Sequence, residues 1–229
     1  MVDPVAVPEA DPTAGSTTER TRIRRLSEKA VNERSVLDAI LDEGLVAHIG
    51  IIDDGQPFVI PVGYARRGDE VIVHGSSGSR LFRALADGAP ACLTVTLLDG
   101  LVYARSAFES SMNYRSAMVL GSARRLTDDD ELDALRVISD HLLPGRWVEA
   151  RQPSKKELAA TITVALPLTE WSVKVSEGAP DDDPSDLENE PWRSIWAGHV
   201  PLTQVMLAAV TDEHVPDGVS VPRYVQERT

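Results

Sequence analysis

A single cysteine, Cys92, stands among the 229 residues, so no disulfide can form within the chain and a fold stapled by cross-links is excluded. Its neighbours in ACLTVTLL are apolar, and the thiol reads as a small buried hydrophobe rather than a reactive group. No apolar run approaches the ~18 residues of a membrane span. The first nineteen residues are acidic and proline-bearing, with neither the basic start nor the apolar stretch of a secretory signal. Together these absences predict a soluble, cytoplasmic protein without a membrane partner. Positive charge is also scarce: 23 Lys and Arg face 36 Asp and Glu, for a formal net charge of -13. A nucleic-acid binder needs the opposite sign, because its affinity comes from phosphate contacts. The one basic stretch, residues 20–29, is short, contains Glu28, and reads as the solvated face of a helix. His141, His199 and His214 share no ligand spacing with one another or with Cys92, so no metal site is expected. The acidic run DDDPSDLENE, residues 181–190, lacks the glycine and spacing of a calcium loop and reads as a solvated linker. No internal repeat is present.

What remains is ordinary globular composition, 42% hydrophobic and 26% charged, in a chain long enough to bury a core without metal or disulfide help. Residues 1–20 are expected to form a disordered tail and residues 21–229 one domain. Ser35 with Asp38 resembles a capping box, and Val36, Leu37, Ile40 and Leu41 follow at helical spacing until Gly44. Two strand-like runs, 45–52 and 57–64, flank Asp53, Asp54, Gly55 and Gln56, a hairpin signal. Another turn at Arg67, Gly68 and Asp69 leads into a strand over 70–74. Residues 91–98 and 101–106 read as a further hairpin around Asp99 and Gly100, and 114–126 as a long strand. Thr127 with Asp130 caps a helix carrying Leu132, Leu135, Ile138 and Leu142, which Pro144 and Gly145 stop. Strand-like runs at 160–166 and 171–176 follow, in a region holding all four tryptophans. Meander order with short turns predicts a mainly β fold with flanking helices, an antiparallel closed or nearly closed barrel.

Two stretches carry chemistry. In VHGSSGSRLFRAL, residues 73–85, a strand ends in a Gly/Ser loop that opens a helix, so backbone N–H groups, serine hydroxyls and Arg80 could cradle a phosphate. The same residues also serve as an ordinary helix cap, and the pattern alone leaves both readings open. In the strand before it, Phe58, Ile60, Val62 and Tyr64 share one face, leaving Val59, Pro61 and Gly63 on the other. Pro61 cannot donate to a ladder and Gly63 bares its backbone, so that face lies at a sheet edge or admits something flat against the main chain. His48, opposite Ala47 and Ile49, reads as a satisfied barrel histidine.

In order, the helix, GLVAHIGIIDDGQPFVIPVGYARRGDEVIVHGSSGSRLFRAL and SMNYRSAMVLGSARRLTDDDE closely resemble the pyridoxamine 5′-phosphate oxidase-like, flavin-binding split-barrel proteins. More narrowly they resemble the branch of nitroimidazole-resistance and actinobacterial flavin-nucleotide-binding proteins, and RQPSKKELAATITVALPLTEWSVKVSEGAPDDD and WAGHVPL are similar to that branch's tail. The resemblance covers about residues 35–202. It implies a six-stranded split barrel, homodimeric, with a flavin nucleotide in each of two grooves at the dimer interface.

Carried over by position, the resemblance implies that His74, Gly75, Ser76, Ser77, Gly78, Ser79 and Arg80 hold the cofactor phosphate, with Leu81 where relatives often place a second polar or basic residue. Pro61, Val62, Gly63 and Tyr64 match the strand whose backbone follows the flavin ring. Asn113, Arg115 and Ser116 match a strand flanking the flavin from the neighbouring subunit or the groove floor. Trp147 or Trp196 could stack on the cofactor's outer portion, and Lys174 could pair with a phosphate. The function expected is an FAD- or FMN-binding oxidoreductase-like protein, with FAD favoured because the C-terminal tryptophans could roof an adenine. The alternatives are a non-catalytic FAD-sequestering or haem-binding flavoprotein, and a deazaflavin-dependent reductase. The substrate is an unspecified small molecule.

Overall fold

The structure, a computed structural model, describes residues 18–228. Most of the expected tail, residues 1–20, therefore lies outside the described residues, but residues 18–20 are tied down, with Thr18 and Arg20 both hydrogen-bonded to Glu170.

Strand β1 (Ala30–Val31) and helix α1 (Arg34–Glu43) precede the hairpin of β2 (Val46–Asp53) and β3 (Gln56–Arg67). Asp54 and Gly55 form its two-residue turn, both with positive φ (48° and 74°), the left-handed pair such turns require. A second two-residue turn through Gly68 joins β3 to β4 (Glu70–Ser76), and helix α2 (Arg80–Ala86) follows. Next come β5 (Pro90–Tyr103), β6 (Ser111–Ser122), β7 (Arg124–Arg125), α3 (Asp128–Leu142), α4 (Arg146–Glu149), α5 (Lys155–Ala159), β8 (Thr161–Pro167) and β9 (Trp171–Ser176). The chain closes with α6 (Pro184–Glu188), β10 (Gly198–Pro201) and α7 (Arg223–Gln226).

All pairings are antiparallel, in the order β1-β9-β6-β5-β2-β3-β4-β8-β7, with β10 on β5. The sheet curls into a barrel because β8 and β9, each next to one end of that order, are consecutive in the chain. Their short link is stitched to the wall by Leu168 N–H to Asp69 O and Leu120 N–H to Glu170 O, both 2.8 Å. Seven strands of six residues or more form this wall, one more than the resemblance implied. Inward-facing Ala47, Ile49, Leu93, Ala117, Val119, Val164 and Trp171 make the core with Leu37, Ile40 and Leu41 of α1 and Leu81, Phe82 and Leu85 of α2. A second, smaller core lies outside the barrel, where Ala134 and Ile138 of α3 cover Ile72, Ala165 and Leu126.

Several local expectations are corrected. Residues 91–103 lie in one strand rather than a hairpin: β6 pairs along both halves of β5, and Asp99 with Gly100 marks only a bulge. Gly100 is needed there because a Cβ would meet the Val200 carbonyl of β10 at 2.9 Å. Neither proposed side-chain cap forms: α1 begins one residue before Ser35, and Thr127 occupies the N-cap of α3 without bonding through its hydroxyl. Asp38 pairs with Arg34 and Asp130 with Arg67 and Arg124 instead, because cations lie within reach. The basic stretch 20–29 is not an α-helix; Leu26 takes a left-handed conformation before a single 3-10 turn. The acidic run 181–190 is more than linker. Asp182 holds both the backbone N–H and the guanidinium of Arg105 at 2.6 Å, and Asp183 caps α6 with Pro184 in its first turn.

Candidate functional site

The barrel opens between β3 and β4. A two-residue turn makes Asp53 and Gln56 a hydrogen-bonded pair, so even-numbered residues of β3 bond β2 and odd-numbered ones turn their main-chain groups the other way. From Arg67 back to Tyr64 those groups meet β4, but pairing stops there, and residues 56–63 have no strand on that side. The free edge belongs to Pro57, Val59, Pro61 and Gly63. Two of its four N–H groups are thus deleted by proline, which blunts an edge that would otherwise invite another strand. Donors remain at Val59 and Gly63, and carbonyls at all four. The exposed main chain expected at Pro61 and Gly63 is therefore an edge, partly roofed at Gly63 by Leu142 of α3. Of the matched residues on this strand, Val62 is half-buried and turned to the barrel core. Tyr64 is wholly inside the barrel, its hydroxyl donating to Leu41 O at 2.8 Å, so its side chain is unavailable to a ligand.

On the other side of the opening lies the Ser76–Ser79 loop. Its geometry differs from a cradle of converging loop amides. The N–H of Ser77 goes to Ala160 O, that of Gly78 to Ser76 Oγ and that of Ser79 to Ser76 O. Neither Gly75 nor Gly78 has positive φ. Gly75 is small because Phe82 lies where a Cβ would go, 2.1 Å from its Cε2, so this glycine lets α2 pack on β4. Nor is the loop a simple side-chain cap, since Ser79 sits at the N-cap without bonding through its hydroxyl. Among the described residues, the hydroxyls of Ser77 and Ser79 remain unengaged. Arg80 reaches across the opening, its guanidinium 3.8 Å above the Phe58 ring and 3.0 Å from Asp53. Sequence reasoning missed Asp53 and Phe58, because only the hairpin's position against α2 brings them to Arg80. Leu81, where a second cation was sought, is completely buried in the core.

His74, the next residue on the outward face of β4 after Ile72, opens onto a groove of about 460 Å³ between the barrel and the helices. Leu135, Ile138 and Leu142 of α3, Trp147 of α4, and Arg151 complete most of its wall. Partial desolvation by the groove lowers the His74 pKa below the usual imidazole value, although the residue stays exposed at the groove's mouth. Trp147 is thus placed beside His74, as a wall of the same groove.

The remaining expected site residues lie elsewhere in the chain. Asn113 and Arg115 line a polar pocket of about 280 Å³ with Asp99 and His199. Asn113 Nδ2 donates to Gly178 O, and Arg115 is gripped by Glu43 (2.6 Å) and Asp99 (2.8 Å), which raise its pKa further, while the hydrogen bond from Arg115 lowers that of Glu43. A cation neutralised twice is a poor anion receptor. Ser116 and Lys174 are cross-strand partners on the outer sheet face, and Lys174 Nζ donates to Arg25 O. Trp196 is exposed and tilted against Tyr103, 5.8 Å between ring centres. Trp171 is a core residue, so the four tryptophans form no common wall.

The outer face also corrects two further expectations. Residues Pro61, His48, Thr94, Met118 and Ser172 form one cross-strand row, with Val59, Gly50, Cys92 and Leu120 beside it. His48 is therefore exposed rather than a barrel histidine, and Cys92 is half-buried on this face, where desolvation raises its thiol pKa. Val46, Ile52 and Val59 leave large apolar side chains open here.

The model of the pyridoxamine 5′-phosphate oxidase family matches residues 33–175. Among solved structures, the FAD and haem binding protein from Mycobacterium smegmatis is 43% identical, over 88% of this chain and 97% of that one, with a TM-score of 0.83. The flavocytochrome Anf3 from Azotobacter vinelandii is 38% identical over 93% and 97%, with a TM-score of 0.85. A protein described as a 5-nitroimidazole antibiotic resistance protein, from Bacteroides thetaiotaomicron, shares the fold at 22% identity over 64% and 86%, with a TM-score of 0.54. A search of curated proteins finds no match.

Proposed function

The chain belongs to the pyridoxamine 5′-phosphate oxidase family, and from that premise we propose that it is an FAD-binding protein of the oxidoreductase type. The observation that carries this reading is the opening between β3 and β4, with a free main-chain edge on one side and unengaged serine hydroxyls with Arg80 on the other. The Val59 and Gly63 amides fit the carbonyl and nitrogen edge of a flat heterocycle. Ser77, Ser79 and Arg80 fit a phosphate, which Asp53 would yield on binding. A bound flavin supplies hydride and electron chemistry, while these residues hold and orient it. FAD is favoured over FMN by the 43% identical FAD and haem binding protein. The apolar outer face carrying Val46, Ile52 and Val59 suits a second copy of the chain, and no helix among the described residues is long and apolar enough to cross a membrane.

The purified protein should release FAD on denaturation, identified by mass, and should sediment at twice the chain mass. Release of FMN or a deazaflavin would replace the cofactor assignment. A colourless protein that takes up no added flavin would overturn the reading.

A second reading, haem binding, is favoured by His74. It presents an imidazole, its pKa lowered by desolvation, to a largely apolar groove with Arg151 at the wall, a setting that fits a flat metal macrocycle bearing carboxylates. The other histidines lack that setting: His141 Nε2 is bonded to Gly44 O at 2.8 Å, His199 lines the polar pocket, and neither His48 nor His214 lines the groove. Titration with haem should produce a histidine-ligated Soret band that His74→Ala abolishes. An unchanged band in the variant would move the ligand elsewhere.

A further inference from the structure

Beneath His74 lies a polar atom without a protein partner. Thr163 of β8 is wholly buried, and its Oγ1 makes no hydrogen bond. A buried hydroxyl left unpaired is costly and calls for an explanation. The register supplies a neighbour, because His74 and Thr163 are directly paired across β4 and β8. Both side chains point to the outer side of the barrel, as do Ile72 and Ala165 in the next pair, which pack under α3. Directly opposed residues have Cβ atoms about 5 Å apart, within reach of an imidazole and a hydroxyl after a rotation of either side chain. Two other hydroxyl residues, Ser139 and Thr161, line the groove, and that of Thr161 donates to Glu157 O at 2.8 Å. Ala134 and Ile138 of α3 are apolar, and the groove's charged groups, Arg151 and Glu157, are engaged with each other at 2.7 and 2.9 Å.

We infer that Thr163 is a positioning residue for His74, accepting one ring N–H through Oγ1 and so turning the other ring nitrogen, with its lone pair, toward the groove. A neutral imidazole has one donor and one acceptor nitrogen, and the partner of the donor decides which tautomer is present. With Thr163 taking the proton side, the groove receives an acceptor suited to a metal centre or to a ligand's hydrogen-bond donor. Carboxylates, backbone carbonyls and waters behind ligating histidines play this part in metal sites generally, and mutation of such partners typically lowers affinity about ten- to a hundred-fold. The consequence for haem rests on the haem reading of the groove; the tautomer assignment does not.

Thr163→Val keeps the shape and deletes the hydroxyl, while Thr163→Ser restores it. In the apo-protein, the ¹⁵N chemical shifts of the His74 ring should report one dominant tautomer in the wild type and in Thr163→Ser, and a mixture in Thr163→Val. Haem affinity should fall about tenfold or more in Thr163→Val and recover in Thr163→Ser. If Thr163→Val raises the melting temperature and leaves the His74 shifts unchanged, the hydroxyl was merely an unpaired core group and the inference is overturned. If the wild type binds no haem yet the shifts respond as stated, the haem reading fails and the positioning role stands.

Discussion

Replacing Arg80 by alanine should weaken FAD binding about tenfold while leaving the binding of riboflavin, which lacks phosphate, unchanged. A charged hydrogen bond is worth about 1.5–3 kcal/mol. Arg80 is 59% exposed and already shares Asp53, so solvent screening and that competition place the effect at the lower end, near the ~1.4 kcal/mol of a tenfold change. The competition makes a converse prediction. Asp53→Asn removes the internal anion that occupies the guanidinium and should tighten FAD without touching riboflavin. Equal losses for FAD and riboflavin in Arg80→Ala would show that the side chain holds the ring or the fold, through its stacking on Phe58, rather than the phosphate. Isothermal titration of both ligands against the apo-protein decides between these.

Leu81→Lys should destabilise the protein severely rather than complete a phosphate site. Leu81 is fully buried among barrel-core residues, and removing a buried leucine's packing costs about 2–5 kcal/mol before the lysine's charge is considered. The ammonium must then be desolvated, neutralised, or drawn out by displacing α2. Against a typical total stability of about 5–15 kcal/mol, the variant should melt far below the wild type or fail to accumulate as folded protein. Leu81→Met, similar in volume, should lose less than about 1.5 kcal/mol and keep its FAD affinity. A Leu81→Lys protein with wild-type melting and tighter FAD binding would mean that α2 turns a different face to the barrel.

How far the sequence could be read is visible along β3. The Asp-Gly turn, the alternation of Phe58, Ile60, Val62 and Tyr64, and the odd placement of Pro61 and Gly63 are local signals, and the structure confirms the turn, the faces and the free edge. The same kind of local signal misled at Asp99 and Gly100, where a turn dipeptide sits inside a continuous strand. There β6 pairs along both halves, and long-range hydrogen bonding overrode the local preference. At Ser35 and Thr127 the capping pattern was present without the caps, because Arg34, Arg67 and Arg124 drew the acidic partners away. No local pattern could disclose which basic residues would be near them.

At the opening loop the division is sharper. Residue order alone determined that a strand would end in a Gly/Ser loop, that a short helix with Arg80 at its start would follow, and that an edge strand with bare main chain would precede it. Those are consequences of φ freedom, proline's missing N–H and side-chain periodicity, which act over a few residues. Tertiary structure decided what each of these groups faces. It turned Leu81 into the core, set Asp53 and Phe58 against Arg80, sent His74 to a groove walled by α3 and Trp147, and placed Asn113 and Arg115 in another pocket of the same chain. These outcomes depend on where β3 parts from β4 and on how the helices cover the seam, that is, on packing between segments far apart in the chain.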